Sequence, residues 1–163
     1  MSNAPGPFVV NVADAPATAR KGAGSYVSFE REGERFPDFG INVHVLSPGE
    51  PNGKYHRESV QEDFLVLGGE CLVILDGERH ELKAWDFVHC PAGTEHIFVG
   101  AGDGPCWILM VGTRSPDRTL HYPVNEEAAR YGASASEPTD SPREAYADWS
   151  RERTPTTLPW PPG

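Results

Sequence analysis

The stretch KYHRESVQEDFLVLGGE, Lys54 to Glu70, places one imidazole and two carboxylates, His56, Glu58 and Glu62, at the opening of an apolar run. If residues 54–58 are extended, His56 and Glu58 stand two apart and project to one face. A turn over Ser59, Val60 and Gln61 would fold Glu62 back beside them. A second histidine, His96, opens the run HIFVG directly after the turn Pro91-Ala92-Gly93. Two imidazoles with one or two carboxylates suit a divalent ion such as Fe, Mn, Ni or Zn. With such an ion the set is close to neutral, which eases its burial. Without a cation, converging carboxylates raise each other's pKa.

Positioning these side chains falls to a series of short strands. SYVSFE, INVHVL, DFLVLG, CLVIL, ERHEL, DFVHC, HIFVG and CWILMVG are rich in Val, Ile, Phe, Leu and Trp, and turn residues separate them at close intervals. This rhythm predicts an all-β sandwich or barrel. Asp76-Gly77 inside ILDGERHEL predicts a tight hairpin, since both residues tolerate positive φ. His44 alternates within INVHVL and faces either solvent or the barrel interior; it is the candidate pocket-lining residue. His89 and Cys90 point to opposite faces of one strand, His80 is expected to be exposed, and His121 is expected to pack.

After Thr113 the pattern changes. NEEAARYG predicts a short helix capped by Asn125, with Gly132 past its end. SPREAYADWSRER opens with a capping box in which Ser141 caps, Pro142 starts the turn and Glu144 reaches back. The proline-rich end TPTTLPWPPG is expected to be extended. Trp149, Leu158 and Trp160 should pack on the barrel or on a second subunit, because leaving them in water is costly. The expected organisation is an N-terminal arm over 1–24, a β-barrel over 25–115 and a tail over 116–163. The Ser2-Asn3-Ala4 stretch is set aside from fold reasoning.

The two polar segments resemble the two motifs of the cupin superfamily. The first is carried by His56, Glu58 where a second histidine is usual, Glu62 and Gly69. The second is carried by Pro91, Gly93 and His96. The resemblance spans roughly Ile41 to Gly112. Gly49 lies one residue further from His56 than the pattern asks, Trp85 stands where the second motif begins with Gly, and Gly100 replaces its terminal Asn. The resemblance implies a jelly-roll (double-stranded β-helix) barrel with one metal in its mouth, held by His56, Glu62 and His96. Glu58 is expected as the fourth, oxygen ligand; the alternatives are a bystander to a three-ligand site, or an acid or base. The resemblance also implies a homodimer.

Composition narrows the function. The 163 residues suit one domain. The net charge of -10 repels nucleic acid and anionic membranes alike. No run approaches the length of a membrane span, and the N-terminus shows no basic region followed by an apolar block. Cys71, Cys90 and Cys106 are odd in number and sit in or beside apolar runs, as reduced buried thiols of a cytoplasmic protein do. The only cations near the motifs are Lys54 and Arg57. Phe64, Phe87, Phe98 and Trp107 suggest an apolar or aromatic ligand. The expectation is a metal-dependent protein acting on a small molecule, dioxygenase- or isomerase-like; the alternative is a non-catalytic metal- or ligand-binding module.

Overall fold

A computed structural model describes residues 4–160; Met1–Asn3, which hold most of the stretch set aside above, and the last three residues of the proline-rich tail lie outside them. The strands are β1 (Ala17–Arg20), β2 (Ser25–Ser28), β3 (Phe39–Leu46), β4 (Arg57–Glu58), β5 (Glu62–Gly68), β6 (Glu70–Leu75), β7 (Glu78–Lys83), β8 (Phe87–Cys90), β9 (His96–Ala101), β10 (Cys106–Thr113), β11 (Leu120–His121) and β12 (Arg153–Thr156). Two one-turn helices, α1 (Glu126–Ala129) and α2 (Pro142–Ala145), lie between β11 and β12. The chain is all-β with a small helical tail, in the jelly-roll arrangement. One antiparallel sheet runs β12-β1-β2-β3-β10-β5-β8, and a smaller one runs β7-β6-β9. The pair β11-β4 closes one end.

Alternation along the strands builds three apolar layers. Phe64, Val66, Cys71, Val73, Phe98, Ile108 and their neighbours fill the space between the sheets. Leu72, Ile74, Ile97 and Val99 point outward from the small sheet and are covered by Tyr55, Ala128 and Ala133. β6 is therefore apolar on both faces, which explains the unbroken run CLVIL. Val27, Val43, Val45 and Trp107 point outward from the large sheet and pack with Leu158 and Trp160 of the tail. Trp149 donates its indole N–H to the Gly132 carbonyl at 3.1 Å. The tail thus packs on its own barrel. β12 continues the large sheet by pairing with β1, and its Pro155 is tolerated there as an edge residue. Neither β1 nor β12 is anticipated by the sequence reading, because both lack an apolar alternation.

Local chemistry shapes the turns. Asp76 and Gly77 have φ of 46° and 83°, as the hairpin between β6 and β7 requires. Trp85 holds φ at 75°, the conformation a glycine would supply at that motif position. Its ring is exposed, so packing does not fix that backbone. Asn125 caps α1 through the Ala128 amide at 2.9 Å. At α2 Ser141 accepts from the Glu144 amide at 3.3 Å. The reciprocal half of the expected capping box is not made: the Glu144 carboxylate takes the Thr139 hydroxyl, and the Ser141 amide donates to that same hydroxyl oxygen at 3.1 Å.

Gly100 has its own reason for replacing the motif's Asn. The Gly49 amide donates to the Gly100 carbonyl at 2.8 Å, and the Gly100 amide to Glu50 at 2.9 Å. The 47–50 turn lies so close that a Cβ on residue 100 would meet the Ser47 carbonyl oxygen at 2.2 Å. Gly100→Asn, which restores the family's residue, should therefore lower unfolding free energy by at least about 2 kcal/mol through overpacking. Denaturant unfolding checks this; an unchanged midpoint would contradict the contact.

Candidate metal centre

Residues 56 and 96 are neighbours across an isolated antiparallel bridge. The His56 amide donates to the His96 carbonyl at 3.2 Å and the His96 amide to the His56 carbonyl at 2.8 Å. The bridge sets the two rings side by side, with centroids 4.8 Å apart. The turn ahead of His96 is pinned to the same region by the Gly93 amide, which donates to the Glu58 carbonyl at 2.7 Å. Glu62 enters as the first inward residue of β5, ahead of Phe64 and Val66. One ligand atom from each of His56, Glu62 and His96 lies within 4.8 Å of the others, so the group could hold a metal ion.

The protein also fixes which imidazole nitrogen faces the site. His56 Nδ1 lies 2.7 Å from the Lys54 carbonyl oxygen, and His96 Nδ1 lies 3.1 Å from that of Thr94. A carbonyl only accepts, so each Nδ1 carries its hydrogen and each neutral ring offers the Nε2 lone pair inward. His96 Nε2 is 3.2 Å from Glu62 Oε2, and His56 Nε2 is 3.6 Å from Glu58 Oε1. Lone pairs facing carboxylate oxygens repel unless a proton or a metal lies between them. The donor set therefore fits a divalent ion. Burial alone would lower the His56 pKa, but the Glu58 and Glu62 carboxylates outweigh it and the net shift is upward.

Glu58 stands beside this group without joining the three converging ligand atoms. It is 8% exposed, and both of its oxygens accept from Arg118 Nη1, at 3.0 and 2.8 Å. Burial pushes the Glu58 pKa up; the His56 imidazole and the Arg118 charge outweigh this and hold it below the ordinary carboxylate range. His44 faces the interior and lines the same cavity, stacked on Tyr26. Burial, assisted by the Arg20 charge, drives its pKa down to about 3, so it is neutral in all ordinary conditions. Its Nδ1 has no partner among the described residues. The cavity, about 300 Å³, is also lined by Asn42, Asn52, Phe64, Met110 and three arginines.

Two features depart from the sequence reading. Lys54 and Arg57, adjacent to the motif, do not reach the cavity: Lys54 is buried on Asp148 at 2.9 Å and Arg57 pairs with Glu95 at 2.8 Å. The cavity's cations are Arg35, Arg114 and Arg118. No local pattern marks them, since loops distant in sequence deliver them. Of the four aromatic residues, only Phe64 lines the cavity. Phe98 is buried beside it in the core, Trp107 faces outward under the tail, and Phe87 is exposed on edge strand β8. The remaining histidines stand apart: His80 near Glu78, His89 on Asp63 and His121 on Asp140. All three cysteines are free and buried. Burial, reinforced by Glu62, pushes the Cys90 thiol up to about 12, leaving it inert.

The tail reaches the site from outside. The Tyr146 hydroxyl accepts from the Lys54 amide at 2.9 Å, and the Lys54 carbonyl in turn holds His56 Nδ1. Tyr122 packs on the His56 ring at 5.7 Å and on Tyr146 at 5.8 Å. Tyr146→Phe would leave the Lys54 amide without its acceptor and should cost about 1–2 kcal/mol of stability. Equilibrium unfolding checks this, and a loss below about 0.5 kcal/mol would show the hydroxyl to be dispensable.

Comparison with known proteins places this geometry. Residues 42–112 match the family model of the cupin domain. A sugar phosphate isomerase of the cupin superfamily from Silicibacter pomeroyi is 27% identical, with a TM-score of 0.55, over 64% of this chain and 73% of that one. A putative sugar phosphate isomerase from Acidithiobacillus ferrooxidans is 22% identical, with a TM-score of 0.54, over 61% of this chain and 65% of that one, just under two thirds of its length. The polyketide cyclase RemF from Streptomyces resistomycificus is 19% identical, with a TM-score of 0.57, over 69% and 83%. The last two likenesses show the fold alone. Among curated proteins none matches the chain. No helix among the described residues is long and apolar enough to cross a membrane.

Proposed function

The chain belongs to the cupin superfamily, and from that premise we propose that it binds one divalent metal through His56, Glu62 and His96 and acts on a small molecule by isomerase-like proton transfer. The observation that carries the metal reading is the pair of Nδ1–H donations to backbone carbonyls, which leave both Nε2 lone pairs free in a group whose ligand atoms, with that of Glu62, lie within 4.8 Å of one another. When bound, the ion supplies Lewis acidity toward a carbonyl or hydroxyl oxygen and lowers the pKa of bound water.

The chain's own residues supply the rest. Glu58, kept ionised by the His56 imidazole and the Arg118 charge, is the proton acceptor beside the metal ligands. His44 stays neutral and forms part of the cavity wall. Asn52 is held by the Phe98 amide, which donates to Oδ1 at 3.0 Å, so its side chain is fixed along the cavity wall. The small cavity favours a small substrate. The isomerase-like reading is further supported by the name of the relative at 27% identity. The free thiols fit a cytoplasmic setting, and the exposed edge of β8, with Phe87 upon it, fits a homodimer.

His96→Ala should reduce metal content at least about ten-fold, the scale of one lost ligand nitrogen at about 1.4 kcal/mol per decade, while circular dichroism stays that of a folded β protein. Elemental analysis of protein purified without a metal-affinity step decides it; unchanged stoichiometry would sink the ligand assignment. If metal is retained but no candidate substrate is turned over by the loaded wild type, the chain is a binding module.

Metal uptake should also depend on pH. A raised His56 pKa keeps a proton on Nε2 above pH 6.5, the ordinary value for the side chain. Metal must displace that proton, so apparent affinity rises with pH through this window and levels off once His56 is neutral. In the metal-free protein the sign reverses: the protonated imidazole stabilises the fold at low pH, and this is lost as pH rises through the folded pKa. Competition titration against a chelator from pH 6 to 8 would show the slope; a flat profile would contradict it.

A further inference from the structure

The three arginines of the cavity differ in how much of their donor capacity is used. Arg114 is committed internally: its Nη1 and Nη2 donate to Glu30 and its Nη1 also to the Phe36 carbonyl, at 2.5, 3.0 and 2.6 Å. Arg118 spends only Nη1, on Glu58. Its Nε and Nη2 have no protein partner among the described residues, and its side chain is 42% exposed. Arg35, delivered by the segment before β3, is exposed and makes no hydrogen bond or ion pair among the described residues, yet it lines the same cavity.

The charges can be followed one by one. Glu58 and Glu62 bring two negative charges, which a divalent ion cancels, and Glu30 cancels Arg114. Arg118 and Arg35 are left over. A protein of net charge -10 thus keeps an electropositive opening over its metal ligands. Guanidinium groups with free donors in such a place match the oxygens of a phosphate or carboxylate.

We propose that this opening binds the anionic group of the substrate, a small phosphate ester or carboxylate, on the free guanidinium donors of Arg118 and Arg35. This specifies the substrate class of the metal site and rests on that reading. It replaces the apolar or aromatic ligand suggested by the sequence, because only Phe64 of the four aromatic residues lines the cavity. Glu58 has a second task here: its hold on Nη1 fixes the guanidinium and leaves its other nitrogens turned to the ligand.

The test is an NMR titration of zinc-loaded protein with methyl phosphate and, separately, acetate, with zinc content measured on the same samples. The wild type should bind at least one of them at the arginine side chains. Tighter binding of methyl phosphate identifies a phosphate site, and tighter binding of acetate a carboxylate site. Arg35→Gln is exposed and should leave the fold intact. Arg118→Lys keeps a cation beside Glu58. Each should weaken binding about ten-fold, the scale of one charge-assisted hydrogen bond, with zinc content unchanged. No binding of either anion by zinc-loaded wild type would overturn the proposal and leave the metal reading standing. Binding equal in wild type and both variants would place the anion on the ion alone and overturn it too. Wild type that takes up no zinc would instead sink the metal reading; anion binding lost in the two variants would still support the arginine assignment, since both arginines are present either way.

Discussion

The site depends on one reciprocal pair of backbone hydrogen bonds, between residues 56 and 96. It joins a short extended segment to the first residue of β9 and sets two imidazoles side by side. The next layer is also backbone: the carbonyls of Lys54 and Thr94 each take an Nδ1 hydrogen from the ring two residues ahead. Each ring is therefore oriented by its own strand, and the two strands are oriented by each other. Only Glu62 is brought in by a different element, and the register of β5 against β10 fixes it, with Glu62 opposite Gly112. A Cβ at 112 would stand in ordinary contact with the Glu62 side chain, 3.7 Å from Oε1. Such a site is preorganised because its constraints are those of the sheet itself.

Around this frame the tail acts as a buttress. Lys54 is 1% exposed, and its ammonium is met by Asp148, the Ser134 carbonyl and the Trp149 ring. A buried cation without such partners would be strongly destabilising. The 122–149 segment is thus coupled to the residue whose carbonyl orients His56. The barrel and its C-terminal extension are in direct contact at this point, even though their sequences differ in character.

Much of this was legible in the sequence, for physical reasons that can be named. Strands buried on one or both faces carry period-two or unbroken apolar runs, so β3, β5, β6, β9 and β10 announce themselves. Asp76-Gly77 marks its turn because few other pairs tolerate that backbone. His56, Glu62 and His96 stand out because each opens a strand after a turn. What stayed hidden was set by long-range delivery. Arg114 and Arg118 follow β10, and Arg35 precedes β3; only the pairing of those strands brings both ends to one opening. β1 and β12 were equally silent, since strands at the margin of a sheet that stay half open to water need no apolar pattern. The reading of Lys54 and Arg57 as the nearby cations took proximity in sequence for proximity in space. Alternation sends Arg57 outward between His56 and Glu58, and Lys54 is drawn away by Asp148.

The Glu at position 58 is best understood with Arg118 as one change. A histidine there would add a neutral ligand and place no demand on the surrounding loop. A carboxylate at 8% exposure does place one, because an unpaired buried charge is far costlier than a paired one. Arg118 meets that demand from the loop after β10, and in doing so carries a guanidinium to the edge of the His56, Glu62 and His96 group. The departure from the family's motif therefore alters more than the ligand count. It swaps a possible imidazole ligand for an ion pair whose negative half faces His56 and whose positive half faces the opening. A site so built separates charge across a few ångströms: a carboxylate on the inner side, a guanidinium on the outer. That polarity follows from two side chains and the burial of one of them, and it sets this cavity apart from one lined by a second imidazole.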